Sequence, residues 1–105
     1  MATAGISLRL DQREHGAIAH VTIENPTKLN TLNVANMTEF VETVEPLRSR
    51  DDLRAVVLTG AGDKAFIGGA DIAEMASLDA AHAEGFITLA HRVCDSLRAL
   101  PVPVI

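Results

Sequence analysis

The residues Lys64-Ala65-Phe66-Ile67-Gly68-Gly69-Ala70-Asp71-Ile72-Ala73-Glu74 put a cation, two adjacent glycines and two carboxylates on one short stretch. Two residues without a Cβ let the chain take dihedrals closed to other residues and let a ligand come close to the peptide N–H groups. The apolar run Ala55-Val56-Val57-Leu58-Thr59 before the stretch reads as a buried strand, and helical character follows it, so the glycines sit at a strand-to-helix transition. From Ala70 onward the N–H groups at the start of that helix are expected to lack intrahelical partners and to carry the positive end of its dipole. The chemistry suited to such donors is reception of a carbonyl oxygen that gains negative charge. Asp71 is expected to cap the following turn and Glu74 to face solvent.

The elements that must position this stretch are legible on either side. Ser7 to Leu10 reads as a first strand and Asp11 to Gly16 as a polar turn. Ala17 to Ile23 alternates, with Ala17, Ala19, Val21 and Ile23 on one face, and forms a hairpin with the first strand. His20 falls on the polar side. Glu24-Asn25-Pro26-Thr27 ends the second strand, because proline removes a ladder donor and constrains its predecessor. Lys28-Leu29-Asn30-Thr31-Leu32 leads to a helix capped by Asn33, along which Val34, Met37, Phe40, Val41, Val44 and Leu47 form an apolar stripe. Pro46 predicts a kink or an early end. Strand, helix and the strand at Ala55 make a βαβ unit, whose crossover is expected to be right-handed. Asp79 to Leu100 predicts a long amphipathic helix carrying Phe86, Leu89, Ala90, Val93, Leu97 and Leu100, and Val102 to Ile105 begins a further strand.

The chain has 105 residues, 48% of them hydrophobic, the size and apolar content of one small globular unit. The formal net charge of −5 argues against a nucleic-acid surface, so a polyanionic ligand must find local positive charge. Lys28 and Lys64, the only lysines, flank the loop before the first helix and the glycine stretch. No apolar run approaches the ~20 residues that span a bilayer, and Met1 to Gly5 lacks a basic segment followed by a hydrophobic one. A cytoplasmic location is therefore the expectation. The one cysteine, Cys94, permits no internal disulfide and is expected to pack as a small apolar group. His82 and His91 lack the one-turn spacing of a two-histidine site, so no metal is expected.

Two rival readings attach to the glycines. Gly60-Ala61-Gly62-Asp63-Lys64-Ala65 formally matches the fingerprint of Rossmann-type dinucleotide-binding domains, with Asp79 at a tolerable distance for a ribose acid. Gly68-Gly69 interrupts after one short turn, where a pyrophosphate-binding helix would have to continue. The bland alternative is a tight loop between packed elements.

The run Ala65-Phe66-Ile67-Gly68-Gly69-Ala70-Asp71-Ile72, with Asn25-Pro26 and Lys28-Leu29-Asn30-Thr31-Leu32 upstream, resembles the enoyl-CoA hydratase/isomerase (crotonase) family. Two separated motifs in the right order are more specific than either alone. The resemblance runs from about Leu8 to Ile105 and matches only the first part of a family member, since members reach roughly 250 residues as one domain. It implies an α/β, crotonase-like fold of ββα-type repeats, with residues 1–105 as its N-terminal half, and the activity of an enoyl-CoA hydratase adding water reversibly to 2-trans-enoyl-CoA thioesters. The Ala70 N–H becomes the first of two donors to the thioester oxyanion. Lys28, Asn30 and Leu32 belong to the CoA-binding loop, and Gly68, Gly69, Asp71 and Ile72 line the substrate beside Ala70. CoA enters as part of an acyl-CoA substrate, with no separate cofactor. The second donor and both catalytic glutamates of similar hydratases lie past the position of Ile105, so little turnover is expected from this chain alone. Complete members form trimers or hexamers. Open alternatives are an isomerase, decarboxylase or thioester hydrolase of the same family, and a non-catalytic CoA-binding or assembly module.

Overall fold

Alternation in the second strand dictates where the core forms. In the structure, a computed structural model that describes residues 5–105, β1 (Gly5–Arg13) and β2 (Gly16–Glu24) pair antiparallel with Ile6 opposite Ile23 and Leu8 opposite Val21. Met1 to Ala4, read above for targeting character, lie outside the described residues. Ala17, Ala19, Val21 and Ile23 are buried as the period-two pattern requires. The turn is tighter than expected: Asp11 to Arg13 continue β1, and only Glu14 and His15 reverse the chain.

Asn33 caps α1 (Val34–Val44) through a reciprocal pair with Asn36, and Met37, Phe40, Val41 and Val44 bury its inner face in the core that Ala19, Val21 and Ile23 of β2 also line. Val34, assigned above to the same stripe, is instead 42% exposed, because the first turn lies beyond the edge of that packing. Pro46 ends the α-helix early. The chain passes into a 3-10 turn over Glu45–Ser49 and then into β3 (Leu53–Gly60), parallel to β2. The strand–helix–strand unit is thus present, with sheet order β1-β2-β3.

β3 is less buried than its composition suggests. Val56 is fully covered, but Ala55, Val57 and Leu58 are only half-buried and Thr59 is exposed. The buried residues of β2 and β3 face the helices. Neighbours such as Ile18, Ala55 and Val57 point to the opposite face, which no helix covers among the described residues. A short α2 (Ile72–Ala76) and the long α3 (Ala80–Arg98), capped by Asp79, follow. Phe86, Val93 and Leu100 reach the core, while Leu89, Ala90 and Leu97 pack against it. Cys94 is exposed, contrary to expectation: Val93 takes the inward position, and one residue later is about 100° round the helix. The strand begun at Val102 joins the sheet, since Val56 N–H donates to Pro103 O and Ile105 N–H to Val56 O, both at 2.9 Å. Among the described residues no helix is long and apolar enough to cross a membrane.

Candidate functional site

Two loops separated by a helix and a strand are laced together at the carboxyl ends of β2 and β3. The first, Asn25 to Leu32, starts with a 3-10 turn over Pro26–Lys28 and then takes two consecutive left-handed residues, Leu29 (φ 54°) and Asn30 (φ 55°). Non-glycine residues seldom adopt that region, and a leucine there stores strain that its surroundings must hold. Asn30 supplies the hold. Its side chain is 1% exposed; Nδ2 donates to Ala61 O and to Ala65 O, each at 2.9 Å, and Oδ1 accepts Asn25 N–H at 2.8 Å. These bonds tie the first loop to the second and leave the Asn30 side chain no free donor. Its place in the loop is as a fastener.

The second loop, Ala61 to Asp71, contains no helix. That removes the dinucleotide reading, which requires a helix opening within Gly60 to Ala65; Asp79, its ribose acid, caps α3 instead. Gly60 and Gly68 have no room for a side chain: a Cβ would lie 2.2 Å from Phe66 O and 2.6 Å from Leu29 O, respectively. Gly69 is different. Its φ of 114° excludes other residues, yet nothing lies within 4 Å of its missing Cβ, so the backbone there is open to an incoming group.

Ala70 sits in an isolated parallel bridge with Leu32. Leu32 N–H donates to Gly69 O and Asp71 N–H to Leu32 O, both at 2.8 Å. In a parallel bridge the central residue turns its own peptide groups away from its partner. The Ala70 N–H accordingly finds no acceptor among the described residues, and Ala70 is half-buried. The freedom of this N–H has a different origin from the one expected. Helix α2 begins at Ile72, so Ala70 precedes the Asp71 cap and is not a helix-terminal donor. A helix of five residues contributes little dipole; the bridge makes the donor.

Asp71 caps as expected, its Oδ1 accepting Glu74 N–H at 3.1 Å, and its Oδ2 lies 3.7 Å from Lys28 Nζ. The lysine of the first motif therefore stands over the acid of the second. Ile72 is 81% exposed, with Met75 also outward on α2. Glu74 departs from expectation: Oε1 accepts Val34 N–H at 2.7 Å, across to the start of α1. A cavity of about 300 Å³ opens between the loops, walled by Pro26, Thr27, Leu29, Asn30, Ala61, Gly62, Asp63, Lys64 and Ala65. It takes in Lys64 but stops short of Ala70. No cluster of metal-ligating side chains occurs among the described residues. Sequence reasoning missed the roles of Asn30 and Glu74, because both are contacts between segments more than 30 residues apart.

Residues 13–105 match the family model described as enoyl-CoA hydratase/isomerase. A short-chain-enoyl-CoA hydratase of Clostridium acetobutylicum is 37% identical over 92 residues, covering 88% of this chain and 35% of that protein. A crotonyl-CoA hydratase of Syntrophomonas wolfei is 32% identical over 105 residues, covering 100% of this chain and 39% of its own length. Among solved structures, an enoyl-CoA hydratase/carnithine racemase from Magnetospirillum magneticum superposes with a TM-score of 0.80 at 35% identity, over 92% of this chain and 36% of that one. The chain thus spans well under half the length of these relatives.

Proposed function

Because the chain belongs to the enoyl-CoA hydratase/isomerase family and has the N-terminal portion of its crotonase-like fold, we propose that it binds an enoyl-CoA thioester with the Ala70 N–H on the carbonyl oxygen. The reaction served is the reversible addition of water to a 2-trans-enoyl-CoA, in which the thioester oxygen gains charge as an enolate forms. A donor already fixed in place needs no reorganisation at that moment. The observation that carries the reading is the Ala70 N–H, unpartnered among the described residues and held by the bridge to Leu32 beside the open backbone of Gly69.

The CoA portion lies along the laced loops, where Lys28 and Lys64 supply the local positive charge that a chain of net charge −5 must provide for a polyphosphate. Leu32 and Gly68 shape the backbone of the slot, while Asn30 holds it. Ile72 borders the thioester from α2.

The chain alone is proposed to bind without appreciable turnover. Water addition needs a carboxylate free to take and return a proton. The two carboxylates nearest Ala70 in the sequence are both engaged, Asp71 as cap and partner of Lys28, Glu74 on Val34 N–H. Calorimetric titration with crotonyl-CoA and with CoA tests the reading: the thioester binds more tightly, and Ala70→Pro, which deletes the N–H, abolishes the difference. Equal affinities for the two ligands in the wild-type chain contradict it.

A further inference from the structure

We propose that Glu74 is a positioning residue, a carboxylate latch that fixes the Ala70 donor by fastening its turn to the first turn of α1. An α-helix begins with backbone N–H groups that have no intrahelical partner. At the start of α1 the reciprocal pair serves two of them: Asn33 N–H donates to Asn36 Oδ1 at 2.9 Å and Asn36 N–H to Asn33 Oδ1 at 2.8 Å. The Val34 N–H is served from elsewhere, by Glu74 Oε1 of α2 at 2.7 Å. An ionised acceptor makes this a strong bond, and a negative charge at a helix N-terminus adds to it.

The position of the bond gives it its consequence. The bridge between Leu32 and Ala70 consists of two hydrogen bonds in an otherwise irregular region. On its N-terminal side it is secured by Gly68 N–H on Leu29 O at 2.8 Å and by the Asn30 side chain. On the other side Val34 follows Leu32 by two residues and Glu74 follows Ala70 by four, so their contact closes a ring around the bridge. Lys28 and Asp71 at 3.7 Å are a looser pair whose lysine is largely exposed, and do less. Glu74 also receives order in return, since its own N–H is held by Asp71 Oδ1.

The importance of the latch for a thioester rests on the function proposed above; the latch itself does not, and the two are tested separately. Amide hydrogen exchange of the ligand-free chain reads the latch. In Glu74→Ala the Leu32 and Asp71 amides are expected to exchange at least tenfold faster while Val21 in β2 is unchanged, and Glu74→Gln, which keeps an acceptor oxygen but loses the charge, falls between Glu74→Ala and wild type. Val34→Pro removes the donor and leaves the carboxylate. Proline is at home in the first helical position, and Asn33 before it already has φ −122° and ψ 175°, so the variant folds and should speed the same two amides. Unchanged exchange of Leu32 and Asp71 in both Glu74→Ala and Val34→Pro overturns the latch, as does an equal acceleration at Val21. In titrations, Glu74→Ala is expected to lose three- to tenfold in affinity for crotonyl-CoA with little change for CoA, and Glu74→Gln to recover part of it. Equal losses for both ligands overturn the positioning role. A wild-type chain that does not distinguish the ligands overturns the thioester reading, and the exchange results alone then decide the latch.

Discussion

Leu32 and Ala70, 38 positions apart in sequence, are paired so that Leu32 uses both of its peptide groups on the neighbours of Ala70 and none on Ala70 itself. One motif thereby leaves the Ala70 N–H of the other without an acceptor among the described residues. Perturbing either loop is expected to reach the donor.

Asn30→Ala removes three hydrogen bonds and leaves Asn25 N–H, Ala61 O and Ala65 O to find other partners. Buried groups deprived of a partner cost about 1–3 kcal/mol each and are not additive, so a loss of roughly 2–4 kcal/mol is expected in urea unfolding. A loss below about 1 kcal/mol contradicts the fastening role.

Two glycines should respond with opposite sign. Gly60→Ala drives a Cβ to 2.2 Å from the fixed carbonyl of Phe66 and is expected to destabilise by roughly 1–3 kcal/mol. Gly85→Ala lies in α3 with nothing within 4 Å and should stabilise by about 0.5–1 kcal/mol through helix propensity. Thermal melts of the two variants against wild type check both.

Lys28 pairs with Asp71 at 3.7 Å while remaining 63% exposed, a geometry that adds little to stability. Lys28→Ala should leave unfolding within about 0.5 kcal/mol of wild type yet weaken CoA binding several-fold, the more so at low salt. An affinity that does not change with salt or with the substitution removes Lys28 from the binding loop.

Asp79 holds α3 by accepting His82 N–H at 2.9 Å, a bond that lowers its carboxyl pKa below the ordinary 3.8. A group whose pKa is depressed by folding contributes stability above its unfolded pKa and loses it as pH falls through the folded value. The first turn of α3 should therefore loosen as the pH drops below 3.8, and Asp79→Asn, which keeps an acceptor without the titration, should flatten that response. Exchange at the His82 amide across this range is the check.

The sequence makes the strands, α1, α3 and their caps legible because each follows from local rules: alternation in Ala17 to Ile23, helical spacing from Met37 to Val44, Asn33 and Asp79 at helix starts, and Pro46 at a helix end. The two motifs are legible for the same reason, since their glycines and prolines act on their own backbone. What is not local was missed. The lack of an acceptor for the Ala70 N–H among the described residues comes from a bridge to a residue on the other side of α1 and β3 in the sequence, and the contact of Glu74 with Val34 is invisible to helical spacing. The half-exposed state of β3 likewise depends on which sheet face the helices cover, not on its apolar composition.

The most direct measurement follows the Ala70 amide by ¹H–¹⁵N NMR while the chain is titrated with crotonyl-CoA and, separately, with CoA. A downfield shift of the Ala70 proton with the thioester, with little movement under CoA, is expected of a donor that engages the acyl carbonyl. An Ala70 amide that stays put while the amides of Lys28 to Leu32 shift, or that moves equally with both ligands, contradicts its assignment as the oxyanion donor.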